Sequence, residues 1–227
     1  MRRFIRNSSF LYPLYVKYVL RNQSALFPDK HTKLHLTGFP RSANTYCYNI
    51  LKVAFPSLPL STHIHTAASI RLALRFNVPT LVLVRDPVST CCSLLLKHHI
   101  EPTAKEVGSL LLDYIEYHDF VMKKSAQLGI LRFEDAVISP EYIIRVVCQR
   151  LDFDLNNSAV QEKALAGQQL VELKESDKSV EGSSLPNEER KQMKIGVESH
   201  VRNHLLCARA LELYAQLLDH SFELNEN

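Results

Sequence analysis

Two short segments of this 227-residue chain carry side chains suited to gripping anions. The first reads Gly38-Phe39-Pro40-Arg41-Ser42-Ala43-Asn44-Thr45. It has the length of the phosphate-cradling pattern GxxxxGK[ST], with glycine first and threonine last. Ala43 stands where the pattern has its second glycine, and Asn44 where it has lysine. The cation sits instead at Arg41. In nucleoside-triphosphate hydrolases that lysine reaches the β and γ phosphates, and the hydroxyl holds magnesium. Its absence disfavours ATP or GTP hydrolysis. What remains is a guanidinium, two hydroxyls and the N–H groups of a following helix, which still make an anion cradle.

The second segment runs Arg85-Asp86-Pro87-Val88-Ser89-Thr90-Cys91-Cys92-Ser93. Arg85 follows an apolar run, and Ser89 lies one helical turn before Ser93 on the same face. Asp86-Pro87 reads as an N-cap followed by a first helical residue. A third segment, Ser61-Thr62-His63-Ile64-His65-Thr66, offers imidazoles, which suit proton abstraction near neutral pH. Alternation puts His63 and His65 on one side if a strand continues through them. If the chain turns after Ile64, only one of them faces a cleft. As a metal pair, H-x-H lacks a third ligand at sensible spacing, so no metal is expected.

These segments need elements to hold them. Lys33–Gly38 is an apolar run ending in glycine, and the pattern predicts a helix from about Asn44 to Phe55. Leu60–Ile64 reads as a short strand and Ala67–Phe76 as a helix. Thr80–Val84 is apolar throughout, as a strand buried on both faces should be. Helices are expected to Leu96, over 103–125 and over 140–151, with a strand at Gly129–Phe133 (GILRF). The rest reads as helical: 158–174, 187–195 and about His200–Leu218, with a polar, serine-rich loop at 175–184. Strands alternating with helices imply an α/β fold: a parallel sheet flanked by helices, with a helical C-terminal part. Ligands of such sheets bind beyond the carboxyl ends of the strands, where the three segments fall.

Composition agrees with one ordinary domain: 46% hydrophobic, 22% charged and a net charge of +3. That mild charge gives no sign of a nucleic-acid binder. The expected layout is an amphipathic arm over 1–30, a single α/β domain over 31–220 and a tail over 221–227. The arm, interrupted at Pro13 and Lys17, is expected to pack on the domain, with peripheral membrane contact as the alternative. Five cysteines, an odd number without a CxxC pair, argue against a disulfide framework and a zinc site. A reducing, cytoplasmic location is expected.

The run G-F-P-R-S-A-N-T-Y resembles the 5′-phosphosulfate loop of the PAPS-dependent sulfotransferases, P-[KR]-S-G-[TNS]-T, where PAPS is 3′-phosphoadenosine 5′-phosphosulfate. Pro40, Arg41, Ser42, Asn44 and Thr45 match, and Ala43 departs from glycine. Tyr46 sits where the family often has tryptophan against adenine. Arg85 and Ser93 have the spacing of the family's 3′-phosphate site. His63 lies near the family's catalytic-histidine spacing ahead of Arg85, so the resemblance favours His63 over His65. Glu101 is the carboxylate alternative, and His98 and His99 read as solvated helix-end residues. Arg132-Phe133-Glu134-Asp135 resembles a family strand end, with Phe133 on the adenine side. Leu185–Lys194 is similar to bacterial members, while the R-K-G-x-x-G and K-T-V motifs of the cytosolic animal branch are absent.

The resemblance implies the P-loop-like three-layer fold and transfer of a sulfuryl group from PAPS to a hydroxyl or amine. The product would be PAP, the 3′,5′-bisphosphate, with no metal needed. The implied roles are Arg41 and His63 in catalysis, with Arg41, Ser42, Ala43, Asn44, Thr45, Tyr46, Arg85 and Ser93 on the donor. The acceptor would be a hydroxyl-bearing small molecule, glycan or lipid. The rival readings are a P-loop small-molecule kinase and a catalytically silent PAP-binding relative.

Overall fold

The computed structural model describes residues 27–62, 64–175 and 188–222. Four strands form one parallel sheet: β1 (Leu34–Gly38), β2 (Leu60–Ser61), β3 (Thr80–Val84) and β4 (Gly129–Arg132), in the order β2-β1-β3-β4. The first three intervals hold α1 (Asn44–Ala54), α2 (Ala67–Arg75), and the pair α3 (Pro87–Lys97) and α4 (Ala104–Met122). After β4 come α5 (Phe133–Ile138), α6 (Pro140–Leu151), α7 (Asn157–Glu175), α8 (Glu188–Arg202) and α9 (Cys207–Leu218).

The pleat of β3 explains the three layers. All five of its residues are buried. Leu81 and Leu83 pack with Leu34 and Leu36 of β1 against α1, α6 and α7. Val82 and Val84 point the other way, into a core with Val88, Leu95, Val107, Leu111 and Leu213 from α3, α4 and α9. A strand buried on both faces must be apolar at every position, and Thr80–Val84 nearly is. On β1, His35 is fully buried, its ring nitrogens held by Ser61 Oγ at 2.8 Å and Ser69 Oγ at 3.1 Å. Burial pushes its pKa down to about 4, so the imidazole there is neutral and structural.

Several boundaries differ from the sequence reading. The second strand stops at Ser61 rather than Ile64. The Ile64 carbonyl is taken by the hydroxyls of Thr37 (2.9 Å) and Ser69 (3.0 Å), which turns the chain out of the ladder. The fourth strand ends at Arg132, and Phe133 opens a short helix with Glu134 and Asp135 in its first turn, where acids favour the helix dipole. The last two helices also divide later than expected, between Arg202 and Cys207. Ser221 and Phe222, at the start of the expected 221–227 tail, lie against β4: Ser221 bridges Ile130, and Phe222 N–H donates to Ile130 O at 2.7 Å. Residues 1–26 of the arm and 223–227 lie outside the described residues, as does most of the 175–184 loop. No helix among the described residues is long and apolar enough to cross a membrane.

Candidate functional site

The loop from β1 to α1 is shaped by three backbone constraints. A Cβ on Gly38 would lie 2.6 Å from Leu83 O, so only glycine allows the strand end to pass this close to β3. Arg41 and Ala43 adopt left-handed conformations, at φ 72° and φ 62°. Ala43 is the N-cap residue of α1, without a side-chain cap bond. The glycine of the family pattern thus falls at a left-handed position, and Ala43 holds that conformation at a cost of about 1 kcal/mol. Asn44 is buried, and its Nδ2 donates to Phe39 O at 3.2 Å and Gly38 O at 3.4 Å, tying the loop to its own start.

The loop after β3 closes on the first one. Arg85 Nη1 donates to Arg41 O at 2.6 Å, and Arg41 Nε donates to Ser93 Oγ at 2.9 Å. Arg85 is steadied twice more: its guanidinium carbon lies 3.9 Å from the Phe133 ring centroid, and Tyr114 OH donates to its carbonyl at 2.8 Å. Asp86 caps α3 by accepting from Ser89 N–H at 2.7 Å. Beneath the first loop, Phe39 packs among Tyr114, Tyr117 and His118. His118 is fully buried, and burial pushes its pKa down to about 4.

Between the loops lies a cavity of about 210 Å³. Pro40, Arg41, Ala43, Asn44, Thr45 and Tyr46 line it from the first loop and α1, and Arg85 and Phe133 from the ends of β3 and β4. Thr45 is exposed, whereas Tyr46 is largely buried, which pushes its phenol up to about 12. Two of the expected ligand residues sit elsewhere. Ser42 and Ser93 are buried and do not line the cavity. Ser93 instead accepts from Arg41 and so orients that guanidinium. Ser42 Oγ has no hydrogen-bond partner among the described residues.

His63 lies outside the described residues. His65 lines the cavity, with Nδ1 2.8 Å from Gly38 O. A carbonyl only accepts, so Nδ1 carries the hydrogen and Nε2 is the basic nitrogen of the ring. Glu101 is exposed on the loop after α3 and is not part of the lining. Sequence reasoning passed over Leu94, Lys97 and His98, which line the cavity from the last turns of α3. Their signal was in the chain: Lys97 stands one turn beyond Ser93, and His98 one turn beyond Leu94.

The chemistry of the lining suits an anion with two charged ends. Arginines from two strand ends, a lysine and two histidines converge, and among the described residues the lining holds no carboxylate. Among the described residues no group of three or more His, Cys, Asp or Glu side chains could hold a metal ion.

The four-stranded parallel sheet between helical layers matches the P-loop-like α/β fold of a sulfotransferase. A solved structure of mouse sulfotransferase SULT7A1 complexed with PAP superposes with a TM-score of 0.53 at 10% sequence identity, covering 88% of each chain. No protein-family model matches this sequence, and no curated protein matches it.

Proposed function

We propose that this chain is a PAPS-dependent sulfotransferase. The observation that carries the reading is the shared cavity: Arg41 from the end of β1 and Arg85 from the end of β3 line one crevice and are hydrogen-bonded to each other through Arg41 O. PAPS has separate anionic ends, and two guanidiniums that line one crevice fit such a molecule. Arg41 and Thr45, with the N-terminus of α1, take the 5′-phosphosulfate; Arg85 takes the 3′-phosphate, and Tyr46 and Phe133 flank the adenine side.

In this reading the acceptor oxygen forms its bond to sulfur as the bond from sulfur to the 5′-phosphate oxygen breaks. His65 Nε2 receives the acceptor's proton, and Arg41 balances charge on the departing phosphate. His65 is preferred over the expected His63 because its ring is oriented by a backbone carbonyl within the cavity. Ser93 serves through Arg41. The acceptor bears a hydroxyl or an amine. The cysteine usage supports a cytoplasmic setting. A small-molecule kinase is disfavoured because Asn44, at the lysine position, is committed to the loop's own carbonyls.

Calorimetry tests the donor. PAP should bind at least tenfold more tightly than ADP, about 1.4 kcal/mol. Arg85→Lys, which keeps the charge but loses the fork, should erase most of that difference. Equal binding of PAP and ADP by the native protein refutes the assignment. Transfer of labelled sulfate from PAPS to an acceptor panel then separates an enzyme from a silent relative: PAP binding with no transfer to any acceptor favours the latter.

A further inference from the structure

In the reading above Arg85 takes the 3′-phosphate, and the sheet itself sets an aromatic ring beside it. β3 and β4 pair in parallel, with Val84 opposite Arg132. Both strands end at that pair, so the residues that follow, Arg85 and Phe133, leave the sheet side by side. From there the two chains part. Arg85 leads through Asp86 into α3, whereas Phe133 is the first residue of α5. The half-buried ring stays against the arginine, with the guanidinium carbon 3.9 Å from the ring centroid. Both residues line the cavity between the loops.

We propose that Phe133 is a positioning residue for donor specificity: its ring holds the Arg85 guanidinium in the orientation that reads a 3′-phosphate. This rests on the sulfotransferase reading and deepens it, because the preference for a 3′-phosphorylated nucleotide then belongs to Arg85 and Phe133 as a pair. Three observations carry it. The first is how Arg85 is held elsewhere. Its carbonyl accepts from Tyr114 OH at 2.8 Å, which restrains the main chain, and Nη1 donates to Arg41 O at 2.6 Å. A guanidinium held through one nitrogen can still turn about that bond, and a ring against its carbon removes this freedom. The second is the kind of partner. A guanidinium donates its hydrogen bonds in its own plane, whereas a ring beneath its carbon draws on the charge, so the ring does not compete with phosphate oxygens for N–H groups. A carboxylate in the same place would take those donors and offset the charge. The third is the footing of the ring. Leu131 and Ala136, on either side of Phe133 in the chain, are fully buried in the core against α1 and α6, which fixes the backbone from which the ring projects.

The test compares PAP with 5′-AMP, which differ only in the 3′-phosphate, by calorimetry with competition for the weaker ligand. The native protein should prefer PAP by at least about tenfold. Phe133→Leu keeps an apolar side chain but loses the π face, and it should cut the PAP-to-AMP ratio by about 3–10-fold. Phe133→Tyr should keep the ratio. In an Arg85→Ala background the ring has no guanidinium to orient, so Phe133→Leu should move the ratio there by no more than about twofold. Equal losses of PAP and AMP affinity in Phe133→Leu overturn the inference and assign the ring to adenine alone. A native ratio in that variant overturns it as well, and so does an undiminished effect in the Arg85→Ala background. Phe133→Met serves the same comparison where circular dichroism finds Phe133→Leu poorly folded. The two readings fail separately: a native protein indifferent to the 3′-phosphate refutes the sulfotransferase, while a preference that survives loss of the ring refutes only the role of Phe133.

Discussion

Replacing Ala43 by glycine should stabilise the protein, although glycine for alanine is usually destabilising. Ala43 sits at φ 62° and ψ 18°, in the left-handed region. An L-residue with a Cβ pays roughly 1–2 kcal/mol there, and glycine pays none of it. Against that stands the greater freedom of glycine in the unfolded chain, roughly 0.4–1 kcal/mol. The net expectation is a gain of about 0.5–1 kcal/mol, or a rise of about 2–3 °C in Tm for a domain of this size. The control is Ala166→Gly, an exposed position inside α7 with ordinary helical geometry, which should lose about 1 kcal/mol. The same chemical change thus has opposite signs at two sites. Ala43→Val, with a branched Cβ forced into the same region, should fall below the native protein by about 1 kcal/mol or more. Thermal and urea unfolding of the three variants decide the matter. Should Ala43→Gly lose as much stability as Ala166→Gly, the left-handed geometry of the β1–α1 loop, and the explanation of the missing glycine with it, is wrong.

Gly38→Ala should act oppositely, because the new methyl would meet the Leu83 carbonyl at 2.6 Å; a loss of about 1–3 kcal/mol in urea unfolding is expected, and a native-like midpoint would contradict the close approach. Ser93→Ala should leave Arg41 without its Nε partner and weaken PAP binding by about 3–10-fold in calorimetry, with little change in far-UV circular dichroism. The two buried histidines set the acid limb of stability. His35 and His118 hold folded pKa values of about 4, below the usual 6.5, so the unfolded chain binds the extra protons between those values. Their contribution is complete above about pH 6.5 and is lost as pH falls toward 4, at roughly 3 kcal/mol for each. His118→Phe should remove about half of the histidine-dependent fall of the urea midpoint between pH 6.5 and 4, and a native-like pH slope in that variant would contradict the assignment.

What the chain determined by itself is the order of elements and the two loops that carry Arg41 and Arg85. A four-residue apolar run at 81–84, a glycine closing β1, and Asp86-Pro87 opening a helix are local signals, each with its cause inside a few residues. Parallel pairing then forced both arginine loops to one end of the sheet, since every strand must point the same way. Short contacts across long sequence separation were decided only by the tertiary structure. Whether Ser93 faces a ligand or Arg41 depends on where α3 crosses the first loop, 52 residues away in sequence. That β2 ends after Ser61 depends on hydroxyls from Thr37 and Ser69 capturing the Ile64 carbonyl, and periodicity within 60–64 cannot register them. His65 gains its orientation from the carbonyl of Gly38, at the end of a neighbouring strand. His98 reads as a solvated helix-end residue, and Lys97 draws no notice, because a helix end looks alike whether it meets water or a cavity. Pattern along a chain reports which face is apolar; it carries no information on which polar groups that face will bring together.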